Sequence, residues 1–478
     1  MTNSAKPVAW QLTACEVANA THRGELSATD VVQSTLDRMH SVNEGLNAIV
    51  EPLEESALQR ADQLDREHAS GVPPASMHGV PVTIKINVDQ KGHATSNGIP
   101  ALKDLIAPDD APVVRNLLNA GAIIIGRTNT PEFSFRADTD NPLFGRTHNP
   151  WGRHVSAGGS SGGAGSAVMA GMGALAHGND IGGSLRFPAA ANGAVTVKPG
   201  LSRVPAWNPS QTTERGMLAQ SMSVQGLLCR SAADLHLAMP AAITADPHDP
   251  FHVPLPWRGA EPDSPVRVGF TKNTFGFDLH PAVNDALDTA AAALTEAGYV
   301  VEEAEAPMLD EIGVVAYRVL MGEVQALMGP DIEAHGSSAL KSIFAEYFSQ
   351  FPPYEGVELL QMMAKRSYYA RAWSLFQQRY PLLLTPFLPQ PFFCPGRDAQ
   401  GETGVREALG SALWSYSMNY LGLPAGSVPA GMFTGDSGQQ PVNIQIVGQR
   451  WREDLIVDAM ISVEKRVGQM SDILWQQM

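Results

Sequence analysis

The sequence predicts an α/β fold in which strands and helices alternate along the chain and pack in layers. Two short β-branched runs carry this prediction, Val80-Pro-Val-Thr-Ile-Lys-Ile86 and Gly121-Ala-Ile-Ile-Ile-Gly126, and a helical pattern at residues 111–119 lies between them. Hydrophobic residues make up 44% of the chain and charged residues 17%, which is typical of a folded globular protein. The length of 478 residues is compatible with one large domain or with two.

The other elements follow in order along the chain. Residues 26–68 are expected to be helical, because Ser27 and Thr29 are candidate N-caps ahead of apolar residues at helical spacing. Residues 157–200 are dense in glycine, and the proline-rich segment 247–265 is expected to be a linker. The remaining expectations are a strand at 266–270, a helix at 281–297, a strand at 299–303, helices through 307–380, a strand at 441–447 and a helix from about Glu453.

The charge balance argues against partners with negative surfaces. The formal net charge is −16, and no cluster of lysines and arginines reverses it locally. Nucleic acid and anionic membrane are therefore disfavoured as partners. The three cysteines, Cys15, Cys229 and Cys394, are few and far apart, so a reducing compartment is expected and a disulfide framework is not.

Targeting signals and metal motifs are not evident in the sequence. Residues 1–10 have no apolar segment of the secretory kind, and no uninterrupted apolar run reaches the roughly 18 residues that a spanning helix needs. No Cys/His set has the spacing of zinc ligands. We therefore expect a soluble cytoplasmic protein without a metal.

Two serine-containing glycine loops are the most informative segments. They are Ala157-Gly-Gly-Ser-Ser-Gly-Gly163 and Gly178-Asn-Asp-Ile-Gly-Gly-Ser-Leu-Arg-Phe-Pro188. Glycines directly before Ser184 allow several successive N–H groups to point at one place, where they can stabilise an oxyanion. The alternative is a flexible or phosphate-binding loop, but the Gly-Lys-Ser/Thr of a Walker A loop is missing. The catalytic interpretation is favoured once Lys85 is considered.

Lys85 lies inside an apolar run, where a lysine is unusual. Desolvation lowers the pKa of a lysine, and a neutral amine can act as a general base. The alternative is an edge-strand lysine that points to solvent, which is the better interpretation of a lone lysine. The two serine loops reverse that preference.

Three competing motifs are rejected. Gly158-Gly-Ser-Ser-Gly162 fits the nucleophile elbow of α/β-hydrolases, but none of the 13 histidines follows His335, and that fold needs a late histidine. Ser462-Val-Glu-Lys465 matches Ser-x-x-Lys without its companion motifs. Gly171-Met-Gly-Ala-Leu-Ala176 resembles a dinucleotide fingerprint but is not set between a strand and the start of a helix.

Seven further segments stand in a recognisable order with these loops. They are Gly79-Val-Pro-Val-Thr-Ile-Lys85, Gly126-Arg-Thr-Asn-Thr-Pro-Glu-Phe133, Asn141-Pro-Leu-Phe-Gly145, Val197-Lys-Pro199, Gln225-Gly-Leu-Leu-Cys-Arg-Ser231, Leu421-Gly-Leu-Pro424 and Asn443-Ile-Gln-Ile-Val-Gly448. Together the segments resemble the amidase signature family over nearly the whole chain, most weakly from about 250 to 415. The resemblance implies one large α/β/α layered domain over residues 1–478, with a central mixed, twisted β-sheet surrounded by helices. Its expected parts are N-terminal helices (1–75), a catalytic core (76–250), a variable substrate-pocket region (251–420) and a return to the sheet (421–478).

The resemblance also implies roles for individual residues. Ser184 corresponds to the nucleophile, Ser160 to a bridging serine after a cis Gly159–Ser160 peptide, and Lys85 to the base. The oxyanion hole would consist of the backbone N–H groups of Ile181, Gly182, Gly183 and Ser184. The Asp180–Arg186 pair would brace the two loops, and the main chain of Ser134 and the ring of Phe135 would contact the substrate.

Four positions depart from the family pattern. Ile86 stands where an acidic residue is common, Ala157 where proline is usual, Asn179 where serine or threonine is usual and Asn192 where cysteine is usual. These departures affect the hydrogen bonds around the site but leave the three catalytic positions filled.

The expected function is hydrolysis of an amide, carbamate or anilide C–N bond through a covalent acyl-enzyme, with no cofactor. The substrate is expected to be a small molecule, by preference a hydrophobic or aromatic amide, and an ester is chemically possible. Candidate pocket aromatics are Trp207, Tyr317, Tyr354, Phe392, Phe393 and Trp414, each of which could equally be a core residue. The alternatives are an A-type subunit of a tRNA-dependent amidotransferase and a binding protein with an inactive site. The oligomeric state is open, a homodimer included.

Overall fold

A single mixed β-sheet organises the described part of the chain. The structure, a computed structural model, describes residues 8–408 and 410–478, so residues 1–7 of the segment considered above for a secretory signal lie outside it. The strands in chain order are β1 Ile49–Pro52, β2 Pro81–Lys85, β3 Ile123–Thr128, β4 Leu175–Asp180, β5 Val195–Lys198, β6 Val224–Cys229, β7 Arg267–Phe270, β8 Val300–Glu303, β9 Leu382–Pro386, β10 Ala425–Gly435 and β11 Gly438–Gly448.

The spatial order of the eleven strands is β1-β3-β2-β4-β6-β5-β10-β11-β9-β7-β8. The pairs β2–β3, β2–β4, β7–β8 and β7–β9 are parallel, and the other six pairs are antiparallel. The C-terminal hairpin β10–β11 lies in the middle of the sheet and joins strands from the two halves of the chain. The expected α/β fold with one mixed sheet is confirmed.

Helices cover both faces of the sheet. In chain order they are α1 Ala14–His22, α2 Ala28–Leu46, α3 Glu54–Ala69, α4 Pro112–Asn119, α5 Gly162–Met169, α6 Arg186–Asn192, α7 Met217–Met222, α8 Ala233–Ala242, α9 Pro281–Glu296, α10 Leu309–His335, α11 Ser338–Gln350, α12 Gly356–Arg379, α13 Gly401–Ala408, α14 Leu413–Leu421, α15 Glu453–Val467 and α16 Met470–Trp475. One buried cluster joins α5, α6, α10, α11, α12 and α14, and another joins α1, α4, α8, α9 and α15. These clusters form the layers on either side of the sheet.

Two expectations about individual elements need correction. The helical segment 26–68 is interrupted by β1, which pairs antiparallel with β3 at one edge of the sheet. The expectation that no segment could span a membrane is also too strong, because α10 is long and apolar enough by length and composition. However, 61% of its most apolar stretch is buried inside the protein, as in a core helix.

Candidate active site

Lys85 lies at the carboxyl end of β2, next to the parallel strand β4. Its side chain is 0% exposed, which rules out the solvent-facing edge lysine considered above. The Nζ atom lies 2.7 Å from Ser160 Oγ and 2.8 Å from Asn179 Oδ1. Because the carboxyl ends of the parallel strands β2 and β4 meet at the same edge, their register places Lys85 beside Asn179 at the end of β4.

Asn179, one of the departures from the family pattern, binds Lys85 directly. Its Oδ1 accepts hydrogen bonds from Lys85 Nζ and from Asn87 Nδ2, the latter at 3.3 Å, while its Nδ2 donates to Asn87 Oδ1 at 2.9 Å. This amide pair gives the lysine a second partner besides Ser160. The asparagine therefore adds a hydrogen bond at the base.

Burial determines the ionisation of the lysine. Desolvation lowers the pKa of Lys85 well below its ordinary value, and the charge of Asp180 only partly opposes this effect. A lysine whose pKa is lowered in this way can be neutral near pH 7 and can accept a proton.

Ser160 and Ser184 face one cavity of about 520 Å³. Ser160 follows a cis Gly159–Ser160 peptide and is 1% exposed, whereas Ser184 is half-buried. The two serine loops are joined by a hydrogen bond of 3.3 Å from Ser161 N–H to Ser184 O. The structure thus brings the three predicted catalytic side chains into one neighbourhood.

The turn before Ser184 requires its glycines. Gly183 has φ +123°, a conformation that residues with a Cβ rarely adopt, and a Cβ on Gly182 would lie 2.3 Å from the Tyr416 ring. In the described part of the chain, the N–H groups of Ile181, Gly182 and Ser184 have no hydrogen-bond acceptor. The Gly183 N–H, predicted as a fourth oxyanion donor, instead donates to Asp180 Oδ1 at 2.7 Å.

Asp180 and Arg186 form a fully buried ion pair that holds this turn. Arg186 donates from Nε to Asp180 Oδ2 at 3.1 Å and from Nη2 to Oδ1 at 3.0 Å, and Leu185 N–H donates to Oδ2 at 3.1 Å. Burial alone would raise the pKa of Asp180, but the charge and hydrogen bonds of Arg186 outweigh burial and lower the pKa to about 2. Arg186 also contacts Gln445 and Asn419, so it links the turn to β11 and α14.

Ser134 and Phe135 line the cavity as predicted, and they also line a smaller recess beside Ser184. Ser134 has φ +60°, and its hydroxyl donates to Asn97 Oδ1 at 2.6 Å and accepts from Asn87 Nδ2 at 3.0 Å. The Phe135 ring packs edge-on against Phe344, with ring centroids 5.4 Å apart. The side of the cavity nearest Ser160 is therefore polar, and the recess is aromatic.

The predicted pocket aromatics divide into two groups. Tyr317 lines the recess, whereas the other five line neither the recess nor the large cavity. Trp207 stacks on His248, and the Tyr354 ring packs under the Arg318 guanidinium. Phe392 and Phe393 pack against each other. The Trp414 indole N–H donates to Asn273 O at 2.8 Å. The prediction is wrong for these five residues, because local packing or hydrogen bonds fix them elsewhere.

The sequence interpretation missed several lining residues. Phe344 and Tyr347 on α11 and Tyr416 on α14 line the recess, and Glu323 on α10 lines the large cavity. The Glu323 carboxylate accepts from the N–H groups of Leu218 and Ala219 at 2.7 Å each, so it caps α7 at the cavity wall. No local motif marks these positions, which come from the part of the chain with the weakest resemblance.

The remaining departures are accommodated away from the reacting groups. Ile86 is buried, and Asn192 Nδ2 donates to Ala157 O at 2.8 Å and to Pro188 O at 2.9 Å. Asn192 thereby joins the first serine loop to the helix that follows Ser184.

The chain is similar to known amidases and to an amidotransferase subunit. A family model described as Amidase matches residues 30–457. Indoleacetamide hydrolase from Bradyrhizobium diazoefficiens is 43% identical over 480 residues, covering 98% of this chain and 89% of that protein. The A-type subunit of glutamyl-tRNA(Gln) amidotransferase from Moorella thermoacetica is 30% identical, covering 95% and 96% of the two chains. A solved bacterial aryl acylamidase of the amidase signature family matches with TM-score 0.83 and 26% identity, covering 98% and 99% of the two chains.

Proposed function

The chain belongs to the amidase family, whose enzymes hydrolyse C–N bonds, and we propose that it hydrolyses the primary amide of an aromatic acid through a Lys85–Ser160–Ser184 relay. The observation that carries the proposal is the fully buried Lys85 amine, 2.7 Å from the Ser160 hydroxyl, beside a cavity that Ser184 also lines. Burial removes the solvation that would keep the amine charged, so the site offers a base beside two hydroxyls.

The acylation step follows from this arrangement. Neutral Lys85 accepts the proton of Ser160, and Ser160 accepts the proton of Ser184 as its Oγ attacks the amide carbonyl. The N–H groups of Ile181, Gly182 and Ser184 stabilise the resulting oxyanion, each at about 2.7–4 kcal/mol of transition-state stabilisation. The Gly183 N–H keeps the turn in shape through Asp180. Ser160 then gives a proton to the nitrogen and regains one from Lys85, the C–N bond breaks and ammonia leaves.

Deacylation uses the same groups in the reverse direction. Water attacks the ester between the acyl group and Ser184 and loses a proton to Ser160, which passes its own proton to Lys85. The proton then returns from Lys85 through Ser160 to the Ser184 oxygen as the C–O bond breaks and the carboxylic acid leaves. The net reaction converts an amide and water into an acid and ammonia. Lys85, Ser160 and Ser184 each return to the protonation state in which they started, so the relay needs no co-reactant other than water.

Asn179 orients the base in this scheme. A neutral amine has two N–H groups and one lone pair, and one N–H donates to Asn179 Oδ1 at 2.8 Å. That bond limits rotation about the terminal C–N bond of Lys85 and leaves the lone pair for the Ser160 hydroxyl. Asn87 holds the Asn179 amide in turn through the paired hydrogen bonds described above.

Two observations support the substrate class. The recess beside Ser184, which adjoins the large cavity, is lined by aromatic rings, among them Phe135, Tyr317 and Phe344, which suits contact with one edge of an aromatic acyl group. The polar wall near Ser160 contains Asn87, Asn179 and other amide and hydroxyl groups, which suits a small leaving group such as ammonia. The 43% identity to an indoleacetamide hydrolase points in the same direction.

The amidotransferase alternative is less well supported. The amidotransferase relative is 30% identical to this chain, against 43% for the indoleacetamide hydrolase. The net charge of −16 also gives tRNA little attraction.

The test is a product assay with purified protein. We expect indole-3-acetamide to give indole-3-acetate and ammonia in equal amounts without a partner protein or tRNA, and Ser184→Ala to give neither. Comparing kcat/KM for indole-3-acetamide with kcat/KM for an anilide, a carbamate and an aliphatic amide shows which class of substrate the enzyme prefers. Efficient cleavage of the anilide or carbamate with no turnover of arylacetamides would contradict the proposed substrate class.

A further inference from the structure

The large cavity, and not the recess, has room for an aromatic ring. The free volume is about 520 Å³ in the large cavity and about 30 Å³ in the recess, which is close to the share of one water molecule in the liquid. The linings of the two spaces share Ser134, Phe135, Ile181 and Ser184, so the spaces adjoin. An aromatic acyl group attached to Ser184 must therefore extend into the large cavity.

One face of α10 runs along both spaces. The helix lines the recess with Tyr317, Leu320 and Met321, and it lines the large cavity with Val324, Leu327 and Met328. Each member of the second set follows a member of the first by seven residues, which is close to two turns of an α-helix. All six side chains therefore project from the same face of α10.

Contacts with α7 hold this face of α10 in place. The Glu323 carboxylate accepts hydrogen bonds from the N–H groups of Leu218 and Ala219 at 2.7 Å each. A Cβ on Gly216 would lie 2.1 Å from Glu323 Cδ, so the chain before α7 packs directly on α10. Gly216 and Ala219 also line the large cavity. The helix is therefore fixed as a wall of the cavity by contacts within the protein.

The part of this face beyond the recess is apolar and accessible. From Met321 at the recess to Met328 in the large cavity, α10 rises about 10 Å at 1.5 Å per residue. Leu327 is 60% exposed and Met328 is half-buried. A leucine exposed on an open surface is ordinary, but Leu327 lies in the wall of the cavity that the catalytic serines face. Covering such a side chain with an apolar group is favourable.

The wall near Ser160 is unsuited to an apolar group. There the amides of Asn87 and Asn179 bond to each other, and the leaving nitrogen must face Ser160 to receive its proton. An apolar acyl group on those amides would remove them from water without offering a new hydrogen bond, which is unfavourable. We therefore expect the acyl group on the side of α10.

We propose that this face of α10 binds the acyl group along its length, with Leu327 and Met328 in contact with the distal end, so that amides with acyl groups longer than arylacetyl are the better substrates. This inference rests on the proposed function, because it defines the acyl group of the same reaction. Lengthening the chain between the carbonyl carbon and the ring carries the ring further along α10, toward Leu327. The helix thus selects acyl groups by length and apolar surface.

The test compares three primary amides of increasing acyl length, namely propanamide, 2-phenylacetamide and 4-phenylbutanamide. In the wild type we expect kcat/KM to be roughly 10-fold higher for 4-phenylbutanamide than for 2-phenylacetamide, because two more methylene groups leave water. Leu327→Ser should lower kcat/KM for 4-phenylbutanamide roughly 5- to 10-fold and leave kcat/KM for propanamide unchanged. Because the leucine is 60% exposed, thermal unfolding of the variant should match that of the wild type.

Leu375→Ser is the matched control, because Leu375 is a 75% exposed leucine on α12 that lines neither space. It should keep the wild-type preference. The role of α10 would be overturned, with the proposed function intact, if the wild type does not favour 4-phenylbutanamide, if the preference survives Leu327→Ser, or if that variant loses activity equally on all three amides. If the wild type cleaves anilides but no primary amide, the proposed substrate class fails instead, and anilides of the same three acids test α10 by the same ratios.

Discussion

Two parts of the candidate site differ in how completely the protein satisfies their polar groups. The floor consists of Lys85 and the turn held by Asp180 and Arg186, and the wall consists of the aromatic residues that line the recess. On the floor, Asp180 and Arg186 are fully paired, and Lys85 has two partners. On the wall, the Tyr317 and Tyr347 hydroxyls have no partner among the described residues. The charged side chains of the floor are thus paired without substrate, and we expect the floor to serve every substrate alike, whereas the wall is expected to contact the part of the substrate that varies. Changes to the floor should therefore reduce all activities equally, and changes to the wall should alter substrate preference.

The largest effect is expected for Lys85→Met, which keeps the length of the side chain but removes the base. We expect kcat/KM to fall roughly 1,000- to 10,000-fold for aromatic and aliphatic amides alike. In the wild type, kcat/KM should decrease as the pH falls through the lowered pKa of Lys85, because the protonated amine cannot accept a proton. That acid limb should be missing from the residual activity of the variant. Retention of activity within 10-fold, with unchanged thermal unfolding, would make Lys85 a structural residue.

The floor also depends on its buried ion pair. Asp180→Asn leaves the Arg186 charge buried and unpaired, and we expect the free energy of unfolding to fall by about 3–5 kcal/mol in urea titrations. Asp62→Asn is the matched control, because the Asp62–Arg66 pair is 60% and 74% exposed and should contribute less than about 1 kcal/mol. Equal small losses in the two variants would show that the pair does not brace the turn.

The wall is tested by Phe135→Ala, with Phe393→Ala as the comparison. Phe135 lines both spaces beside Ser184, so its loss should lower kcat/KM for an arylacetamide more than for a small aliphatic amide, by about 1–3 kcal/mol. Phe393 packs on Phe392 with centroids 4.3 Å apart and lines neither space, so its loss should leave the ratio unchanged. If kcat/KM falls by the same factor for both substrates in Phe135→Ala, the Phe135 ring supports the fold and does not determine substrate preference.

The smallest expected effect concerns Asn179. Asn179→Asp places a carboxylate where the amide oxygen lies 2.8 Å from Lys85 Nζ. A nearby negative charge favours the protonated amine, so the acid limb of the pH profile should move to higher pH while activity at alkaline pH is kept. Asn179→Ser, which restores a residue usual in the family, is the neutral control. If the acid limb of the pH profile does not move in Asn179→Asp, then Asn179 does not influence the ionisation of Lys85.

The same contrast explains how much the sequence could predict. Lys85, Ser160 and Ser184 lie in motifs whose residues are close along the chain or at the ends of adjacent strands, and the structure brings them together. Tyr347 and Tyr416 lie far along the chain from Ser184, on helices whose packing no local pattern specifies. Only tertiary packing brings them to the recess, so they could not be predicted.

The strands show a similar division. The β-branched runs at β2 and β3 and the short strands β7 and β8 were predicted within a few residues. In contrast, β10 was missed because Gly426, Pro429 and Gly431 disfavour strand structure, and its register is irregular between Pro429 and Gly431. The leucine-rich β9 follows a long helix and contains residues that also favour helices. The pairing with β11 overrides both local preferences.

The most direct test of the central claim is covalent labelling of the nucleophile. Intact-mass measurement after treatment with a fluorophosphonate should show one adduct per chain, and peptide mapping should locate it at Ser184. Ser184→Ala should fold normally, take up no label and hydrolyse no amide. Stoichiometric labelling at another residue, or an Ala variant that still hydrolyses indole-3-acetamide, would contradict the account.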